Sequence, residues 1–367
     1  MNRIQEEMNR AVAEGIFPGA ALLVASMGDI LFRDFFGSAT LLPQPERITE
    51  ESLFDIASLT KPVVTASLAL LAIALPERGL SMNGTLAKYL PGFDENVYGE
   101  EKKRITIRHL LKHTSGLPSW KPYFQEIARE HPEVVGHRKS QPYYLSKILH
   151  ESLETPVAYQ KIYSDLGYIL LGMILEHLWE APLDQVFKEK ISIPLGMNHT
   201  FFVPSGSSLP FPRSQFVATE NSEWRQKLLR GEVHDDNAYT LGGVAGHAGL
   251  FSTVDDLHRF LIAFERGYRE QSSIFLRDMV DLFVGEKTKV KLGWDIPSLE
   301  NSQAGKYFSR NTIGHLGYTG CSFWADLDND YHVILLTNRV HPTSQNEAIK
   351  TFRPLIHDVI YEVLLKR

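Results

Sequence analysis

The stretch Val63 to Leu75 constrains the fold most, because it is apolar at nearly every position. A helix that is apolar on all sides has to be buried, so this segment should lie in the middle of the protein. Pro62 precedes it and suits a first helical turn, where no backbone hydrogen bond is lost. Gly79 suits the end of the helix. The sequence therefore predicts a central buried helix that begins at or just before Ser58.

Ser58 and Lys61 are three residues apart at the start of this helix, so both side chains should lie on one face. A hydroxyl there lies beside unpaired backbone N–H groups and the positive end of the helix dipole. A serine hydroxyl needs a neighbouring base to act as a nucleophile, and an amine one turn later can supply it. Taken alone, the pair favours a capping serine and a surface lysine, because Ser-x-x-Lys arises often by chance.

The composition excludes several classes of protein. The chain has 367 residues, 43% of them hydrophobic, which is enough for one large domain or two closely packed ones. Its net charge is −6 with both signs mixed along the chain, so neither a nucleic acid nor a membrane is expected as a partner. The single cysteine, Cys321, excludes an internal disulfide and metal sites that need several cysteines.

The first residues are polar and lack the apolar core of a secretory signal. The apolar run from Pro62 to Pro76 is short for a membrane span. A cytoplasmic location is therefore expected.

The two ends of the chain predict β-structure. Gly19 to Ser26 and Asp29 to Phe36 are apolar runs split by a short turn, a pattern typical of a β-hairpin. Further short strands are predicted at 289–294, 312–316, 320–326 and 332–338, before a helix over 346–366. The segments between are mostly helical, but 120–145 is rich in His, Pro, Lys and Glu and suggests an irregular, exposed segment. Gly231 to Gly249 is too rich in glycine for a regular element.

The expected fold class is therefore α/β, in the α+β sense. It has a central antiparallel sheet built from both chain ends, flanked by terminal helices, with a large and mostly helical region inserted. The expected division is a sheet portion, 1–56 with 287–367, and a helical portion, 57–286. The active site should lie in the cleft between them, in one catalytic unit.

Three short motifs follow one another along the chain: Ser58-Leu59-Thr60-Lys61, Tyr163-Ser164-Asp165 and His315-Leu316-Gly317. Together and in this order they resemble the signature of serine β-lactamases and penicillin-binding proteins. The chain is identified as similar to the class C β-lactamase and D,D-peptidase family, which also includes esterases and D-amino-acid peptidases. The likeness covers nearly the whole chain, including Ile105 to Leu117 and Gly249 to Thr253, and implies the β-lactamase/transpeptidase-like fold.

The resemblance implies a role for each motif residue. Ser58 corresponds to the nucleophile, Lys61 to its base, and Tyr163 to the residue that shares this proton and later protonates the leaving group. The backbone N–H groups of Ser58 and Tyr318 correspond to the oxyanion hole. Gly317 would let the substrate backbone lie close to the strand. No cofactor and no metal is implied.

Two positions depart from the family pattern. Asp165 stands where the β-lactamases carry Asn. A carboxylate there would favour the ammonium form of Lys61, which cannot accept a proton. This makes Tyr163 the stronger candidate for the base. His315 stands where the family carries Lys and is counted with the catalytic residues. A neutral histidine selects less strongly for substrates with a carboxylate, so esters, or amides recognised through other groups, become more probable substrates.

The segment Val233 to Gly249 resembles a narrower branch, which contains N-acetylmuramyl-L-alanine amidases of cell-wall recycling. Its residues His234, Asp235 and His247 could be metal ligands, but a loop held rigid by hydrogen bonds is the favoured interpretation. The aromatic residues Trp120, Tyr123 and Phe124 either line a substrate mouth or belong to a plain surface loop.

The predicted function is a serine hydrolase that acts through a Ser58 acyl-enzyme on an ester or amide, in a cell-wall-derived peptide or a small ester. The alternatives are a true class C-like β-lactamase, a D,D-carboxypeptidase and a catalytically silent binding member of the fold. The expected partner is a small-molecule or peptide substrate. The natural substrate, the main base and the oligomeric state stay open.

Overall fold

The computed structural model describes residues 1–90, 93, 97, 99–270, 274–285 and 291–366. Its main sheet has six strands in the order β3-β2-β1-β11-β10-β9, and each neighbouring pair is antiparallel. A three-stranded sheet has the order β4-β8-β5, and β6 pairs with β7. The strands are β1 (Gly19–Ser26), β2 (Asp29–Thr40), β3 (Glu46–Arg47), β4 (Phe54–Asp55), β5 (Phe201–Phe202), β6 (Asn221–Ser222), β7 (Lys227–Leu228), β8 (Leu250–Ser252), β9 (Thr312–Leu316), β10 (Ser322–Asp326) and β11 (Tyr331–Thr337).

The helices surround the sheet and fill the region between the two groups of strands. They are α1 (Asn2–Ala13), α2 (Ser67–Ala74), α3 (Leu86–Tyr89), α4 (Glu100–Lys103), α5 (Ile107–Leu111), α6 (Tyr123–Glu130), α7 (Gln141–His150), α8 (Asp165–Trp179), α9 (Leu183–Phe187), α10 (Asp236–Thr240), α11 (Val254–Tyr268), α12 (Arg277–Val284) and α13 (Ile349–Ile360). Tighter 3₁₀ turns lie at Ala57–Leu59, Pro76–Arg78, Pro132–Val134, Arg138–Ser140 and Arg213–Gln215, and wider π turns at Lys61–Ala66, Lys188–Ser192 and Tyr361–Leu365.

The sheet is built from both ends of the chain, which confirms the predicted architecture. Strand β1 pairs with β2 and with β11, so that Ala20 lies opposite Thr337. Because side chains alternate along a strand, the two faces of β1 contribute to two different hydrophobic cores. Leu22 packs against the terminal helices α1 and α13, whereas Leu23 faces the core around the central segment.

The central segment is buried as predicted, but it is not one uniform helix. It passes from a 3₁₀ turn through a π turn into α2, and Gly79, with φ +66°, ends the 3₁₀ turn that follows. The stretch Ala57–Ala74 has the length and apolarity of a membrane-spanning helix, yet 78% of it is buried inside the fold, as in a core helix. An all-apolar sequence carries no periodicity from which such changes of helical type could be predicted.

Three local predictions need correction or qualification. Segment 120–145 is not irregular, because it contains α6 and the start of α7 and buries Tyr123, Ile127 and Tyr144. Of the strand predicted at 289–294, residues 289 and 290 lie outside the described residues, and 291–294 form no strand but contain a bend at 292 and 293. Gly231 to Gly249 is irregular except for α10.

Candidate active site

Ser58 lies in a strained turn between strand β4 and the central segment. The preceding residue, Ala57, has φ +47°, which a residue with a side chain rarely adopts. Its N–H donates to Oδ1 of the buried Asp55 over 2.8 Å, and the Thr60 hydroxyl donates to its carbonyl over 2.6 Å. These contacts hold the turn in a conformation that leaves Ser58 half-buried.

Lys61 is completely buried and its ammonium group lies among three acceptors. Nζ donates to Oγ of Ser58 over 2.8 Å and to the carbonyl of His247 over 3.2 Å. It also forms an ion pair with Oδ1 of Asp165 over 2.7 Å. The structure thus brings Asp165, which lies about 100 residues away in sequence, to the amine that also contacts Ser58.

Tyr163 lies between two imidazole rings. Its ring stacks on His113 with centroids 4.5 Å apart and lies 6.0 Å from His315, while Nζ of Lys61 is 4.8 Å from its centroid. Burial, and next the charge of Asp165, raise the pKa of the Tyr163 hydroxyl well above its ordinary value, against a smaller opposite effect of its hydrogen bond with Ser58. This hydroxyl is therefore protonated at neutral pH.

The start of helix α8 places Tyr163 and Asp165. Ser164 caps the helix, since its Oγ accepts the N–H of Gly167 over 3.2 Å. The N–H of Ser164 donates to Nδ1 of His113 over 2.9 Å, so this imidazole has its proton on Nε2. Burial, and next the charge of Lys61, hold the pKa of His113 well below its ordinary value. A neutral His113 therefore orients the backbone that carries Tyr163.

His315 is buried at the end of strand β9, and its side chain is neutral at pH 7. Its Nδ1 lies 2.8 Å from the carbonyl oxygen of Leu316, which can only accept, so Nδ1 carries the proton. Burial lowers the pKa of His315; the nearby Asp295 raises it and the charge of Lys61 lowers it, each to a smaller extent. The predicted neutral histidine at this position agrees with these surroundings.

The turn after β9 lies directly against the Ser58 turn. A Cβ on Gly317 would come within 2.6 Å of the carbonyl oxygen of Ile56, and the Thr319 hydroxyl donates to the carbonyl of Asp55 over 2.8 Å. Within the described part of the chain, neither the N–H of Ser58 nor that of Tyr318 has a hydrogen-bond acceptor. Two free N–H groups on facing turns are what an oxyanion hole requires.

The loop from Val233 to Gly249 wraps around the Ser58 turn. Nε2 of His247 lies 3.0 Å from Oδ1 of Asp235, and the N–H of His234 donates to Oδ2 of Asp55 over 2.6 Å. Although burial alone would raise it, the charge and hydrogen bond of His247 hold the pKa of Asp235 far below its ordinary value. Among the described residues no three His, Cys, Asp or Glu side chains are grouped as a metal site requires.

Several of these residues carried no functional assignment from the sequence. His113 belongs to the family-typical stretch Ile105 to Leu117, which was a usable signal. Nothing in the sequence points to Asp55 or Asp295. Asp55 acts through hydrogen bonds from backbone N–H groups, and Asp295 acts through its proximity to His315 in the fold. The roles predicted for Ser58 and the other motif residues stay predictions, but the structure places them around one point.

The profile of the family described as Beta-lactamase matches residues 4–357 of this chain. An N-acetylmuramyl-L-alanine amidase of Bacillus subtilis (strain 168) is 32% identical over 374 residues, covering 93% of this chain and 81% of the amidase. A putative D-alanyl-D-alanine carboxypeptidase of Escherichia coli (strain K12) is 32% identical over 371 residues, covering 93% of this chain and 82% of the relative.

The fold is also similar to that of solved structures. The octameric penicillin-binding protein homologue from Pyrococcus abyssi aligns with a TM-score of 0.73 at 19% identity. The alignment covers 98% of this chain and 77% of that protein. At this identity the likeness concerns the fold alone.

Proposed function

This chain belongs to the β-lactamase family and is a serine hydrolase, and we propose that it cleaves an amide bond in a cell-wall-derived peptide through an ester on Ser58. The names of two relatives, an amidase and a putative carboxypeptidase, both describe amide hydrolysis. The observation that carries the proposal is the contact of the Ser58 hydroxyl with Lys61 at 2.8 Å beside a protonated Tyr163.

Acylation needs a path for one proton from Ser58 to the leaving amine. Oγ of Ser58 attacks the carbonyl carbon, and the oxyanion that forms binds the N–H groups of Ser58 and Tyr318. Tyr163 accepts the serine proton as it gives its own proton to the amide nitrogen, whose bond to carbon then breaks. This relay needs no free phenolate, which the raised pKa of Tyr163 disfavours. Lys61, paired with Asp165, stabilises the oxygens between which the proton moves.

Deacylation uses the same groups in reverse. Water attacks the ester carbonyl and gives one proton to Tyr163. In the same relay Tyr163 passes its own proton to Oγ of Ser58, whose bond to the acyl carbon breaks. Microscopic reversibility leads to the same expectation, because a group that acts as the acid in acylation acts as the base in deacylation.

The neutral His315 bears on the substrate class. A lysine at this position would offer a fixed positive charge to a substrate carboxylate, whereas His315 offers none at pH 7. This disfavours the β-lactamase and D,D-carboxypeptidase alternatives, since penicillins and D-alanyl-D-alanine peptides carry a carboxylate close to the scissile bond. An internal amide, or a small ester, fits better.

The test is one panel of substrates with wild type and Ser58→Ala: a muramyl peptide, short-chain p-nitrophenyl esters, a D-Ala-D-Ala peptide and nitrocefin. We expect the muramyl peptide and the esters to be turned over by wild type only, with a fluorophosphonate mass adduct that Ser58→Ala lacks. Ser207→Ala, on an exposed loop, is the matched control and should behave as wild type. Full activity of Ser58→Ala would refute the mechanism, and no burst with any ester would favour the silent binding alternative.

A cytoplasmic location belongs to the same proposal, because recycled wall fragments are processed after uptake. Cell fractionation with antibodies against the protein checks it, and recovery outside the cytoplasm would contradict it.

A further inference from the structure

Trp120 is an exposed tryptophan at the edge of the candidate active site. Its side chain is 47% exposed, which is unusual for so large an apolar group. The residues just before it are paired with the start of α8: the carbonyl of Pro118 accepts the Ser164 hydroxyl over 2.7 Å, and that of Ser119 accepts the N–H of Asp165 over 2.8 Å. Trp120 therefore follows directly on the wall that carries Asp165.

The residues just after Trp120 are tied to the opposite wall. Asn237, in helix α10, donates from Nδ2 to the carbonyl of Lys121 over 2.9 Å and accepts the N–H of Phe124 over 3.1 Å. Asp235 caps this helix and contacts His247, whose carbonyl binds Lys61. The segment around Trp120 thus bridges the two sides of the site.

Two further rings support the indole. The centroid of Trp120 lies 6.4 Å from that of Phe124, which meets Trp224 edge to face at 4.7 Å. Trp224 in turn packs against Tyr239, over which the Arg225 guanidinium lies at 4.2 Å. We call Trp120, Phe124 and Trp224 the aromatic rim. Phe124 packs against both tryptophans of the rim. The indole of Trp120 is therefore supported by another ring, and its exposed face is held in place beside the site.

We propose that the exposed face of Trp120 binds the pyranose ring of a sugar attached to the acyl side of the scissile amide. This inference rests on the proposed function, because it names the part of the substrate that the amide hydrolase recognises. The axial C–H bonds of a pyranose are slightly positive and pack well on the negative face of an aromatic ring. Contact also removes apolar surface of both partners from water. In a muramyl amide the sugar is joined to the acyl group through a short ether, so it lies close to the scissile amide on its acyl side.

The kinetic test compares two amides that differ only in the sugar and that carry no carboxylate next to the scissile bond: the N-methylamides of N-acetylmuramyl-L-alanine and of 2-methoxypropionyl-L-alanine. We expect Trp120→Ala to lower kcat/KM about 10-fold or more for the muramyl amide, from the lost apolar contact, and to leave the sugar-free amide unchanged. Trp120→Phe, which keeps an aromatic face, should retain most of the activity. Met27→Ala, an exposed side chain at the far end of the β1–β2 hairpin, is the control and should match wild type on both amides. Equal losses on the two amides, or no loss, would overturn the proposal.

A binding measurement separates this proposal from the proposed reaction. In the Ser58→Ala background, calorimetric titration with N-acetylmuramic acid should show binding whose Kd rises about 10-fold or more in Trp120→Ala. If the sugar binds in this way while wild type cleaves neither amide, the reaction is wrong and the sugar site stands. If the sugar does not bind, or if a sugar-free peptide depends on Trp120 instead, the sugar site is wrong whatever the activity.

Discussion

At the residue scale, His315 places an uncharged ring where the related motif carries a lysine. It occupies the end of strand β9 beside Tyr163, and burial lowers its pKa, so it contributes a hydrogen-bonding ring without charge. A lysine there would add a cation close to Lys61 and would favour substrates that bring a compensating carboxylate.

We therefore expect His315→Lys to increase the rate of acylation by benzylpenicillin, relative to that by p-nitrophenyl acetate, by about 10-fold or more. The reason is the new charge, so the neutral variant His315→Gln should leave this ratio near that of wild type. Stopped-flow acylation rates with the two reagents measure it. An unchanged ratio in His315→Lys, with the fold retained by circular dichroism, would show that this position does not select for charge.

At the scale of elements, the β9–β10 turn approaches the Ser58 turn closely, and this approach sets the geometry of the proposed oxyanion hole. Gly317 makes this approach possible, because a methyl group there would meet the carbonyl of Ile56 at 2.6 Å and Leu59 at 3.2 Å. The first of these is a backbone atom, which cannot move aside without shifting the strained turn that holds Ser58.

Gly317→Ala should therefore lower kcat/KM for esters about 100-fold, in the range seen when one oxyanion donor is lost. The control is Gly167→Ala, where the nearest atom to the new methyl is an ordinary 3.5 Å away. Ester kinetics and thermal unfolding of both variants measure the effect. Activity of Gly317→Ala within a few-fold of wild type would mean that the two turns are not closely coupled.

Elements with a clear pattern were predictable, and contacts between them were not. The hairpin of β1 and β2 and the strands β9 to β11 follow from alternating apolar runs bounded by turn residues. Helix α6 was missed because its charged and proline-rich surroundings outweigh the apolar Tyr123, Phe124 and Ile127. The motif residues could be selected from their order along the chain. The stacking of His113 on Tyr163 could not, because nothing local in the sequence records which side chains meet across the fold.

At the scale of the whole molecule, Glu220 joins distant parts of the chain. Its carboxylate contacts Nε2 of His234 at 3.0 Å and accepts the Ser344 hydroxyl over 2.6 Å. Burial alone would raise the pKa of Glu220, but these two partners together lower it to about 2. Since the folded state holds the proton less tightly than the unfolded state, this carboxylate stabilises the fold above about pH 4.5, and the effect is lost as the pH falls toward 2.

Glu220→Gln should therefore destabilise the protein at pH 7 by about 1.5–3 kcal/mol, the range typical of hydrogen bonds to a charged group. The difference from wild type should narrow as the pH falls below about 4.5. Urea unfolding at pH 7, 5, 4 and 3 measures it, with exposed Glu6→Gln as the control. A difference that stays constant with pH would show that the charge of Glu220 is not involved.

The pairing of β1 with β11 also bears on how the chain is made. The N–H of Gly19 donates to Asn338, 319 residues later. On the ribosome, the long hydrophobic edge of β1 stays without this partner until nearly all of these residues have been translated. The turn with Tyr318 likewise emerges long after Ser58, so a nascent chain carries its proposed nucleophile long before it can carry the proposed second oxyanion donor. The topology therefore delays assembly of the proposed site until strands β9 to β11 have been made, and a growing chain exposes one edge of β1 until then.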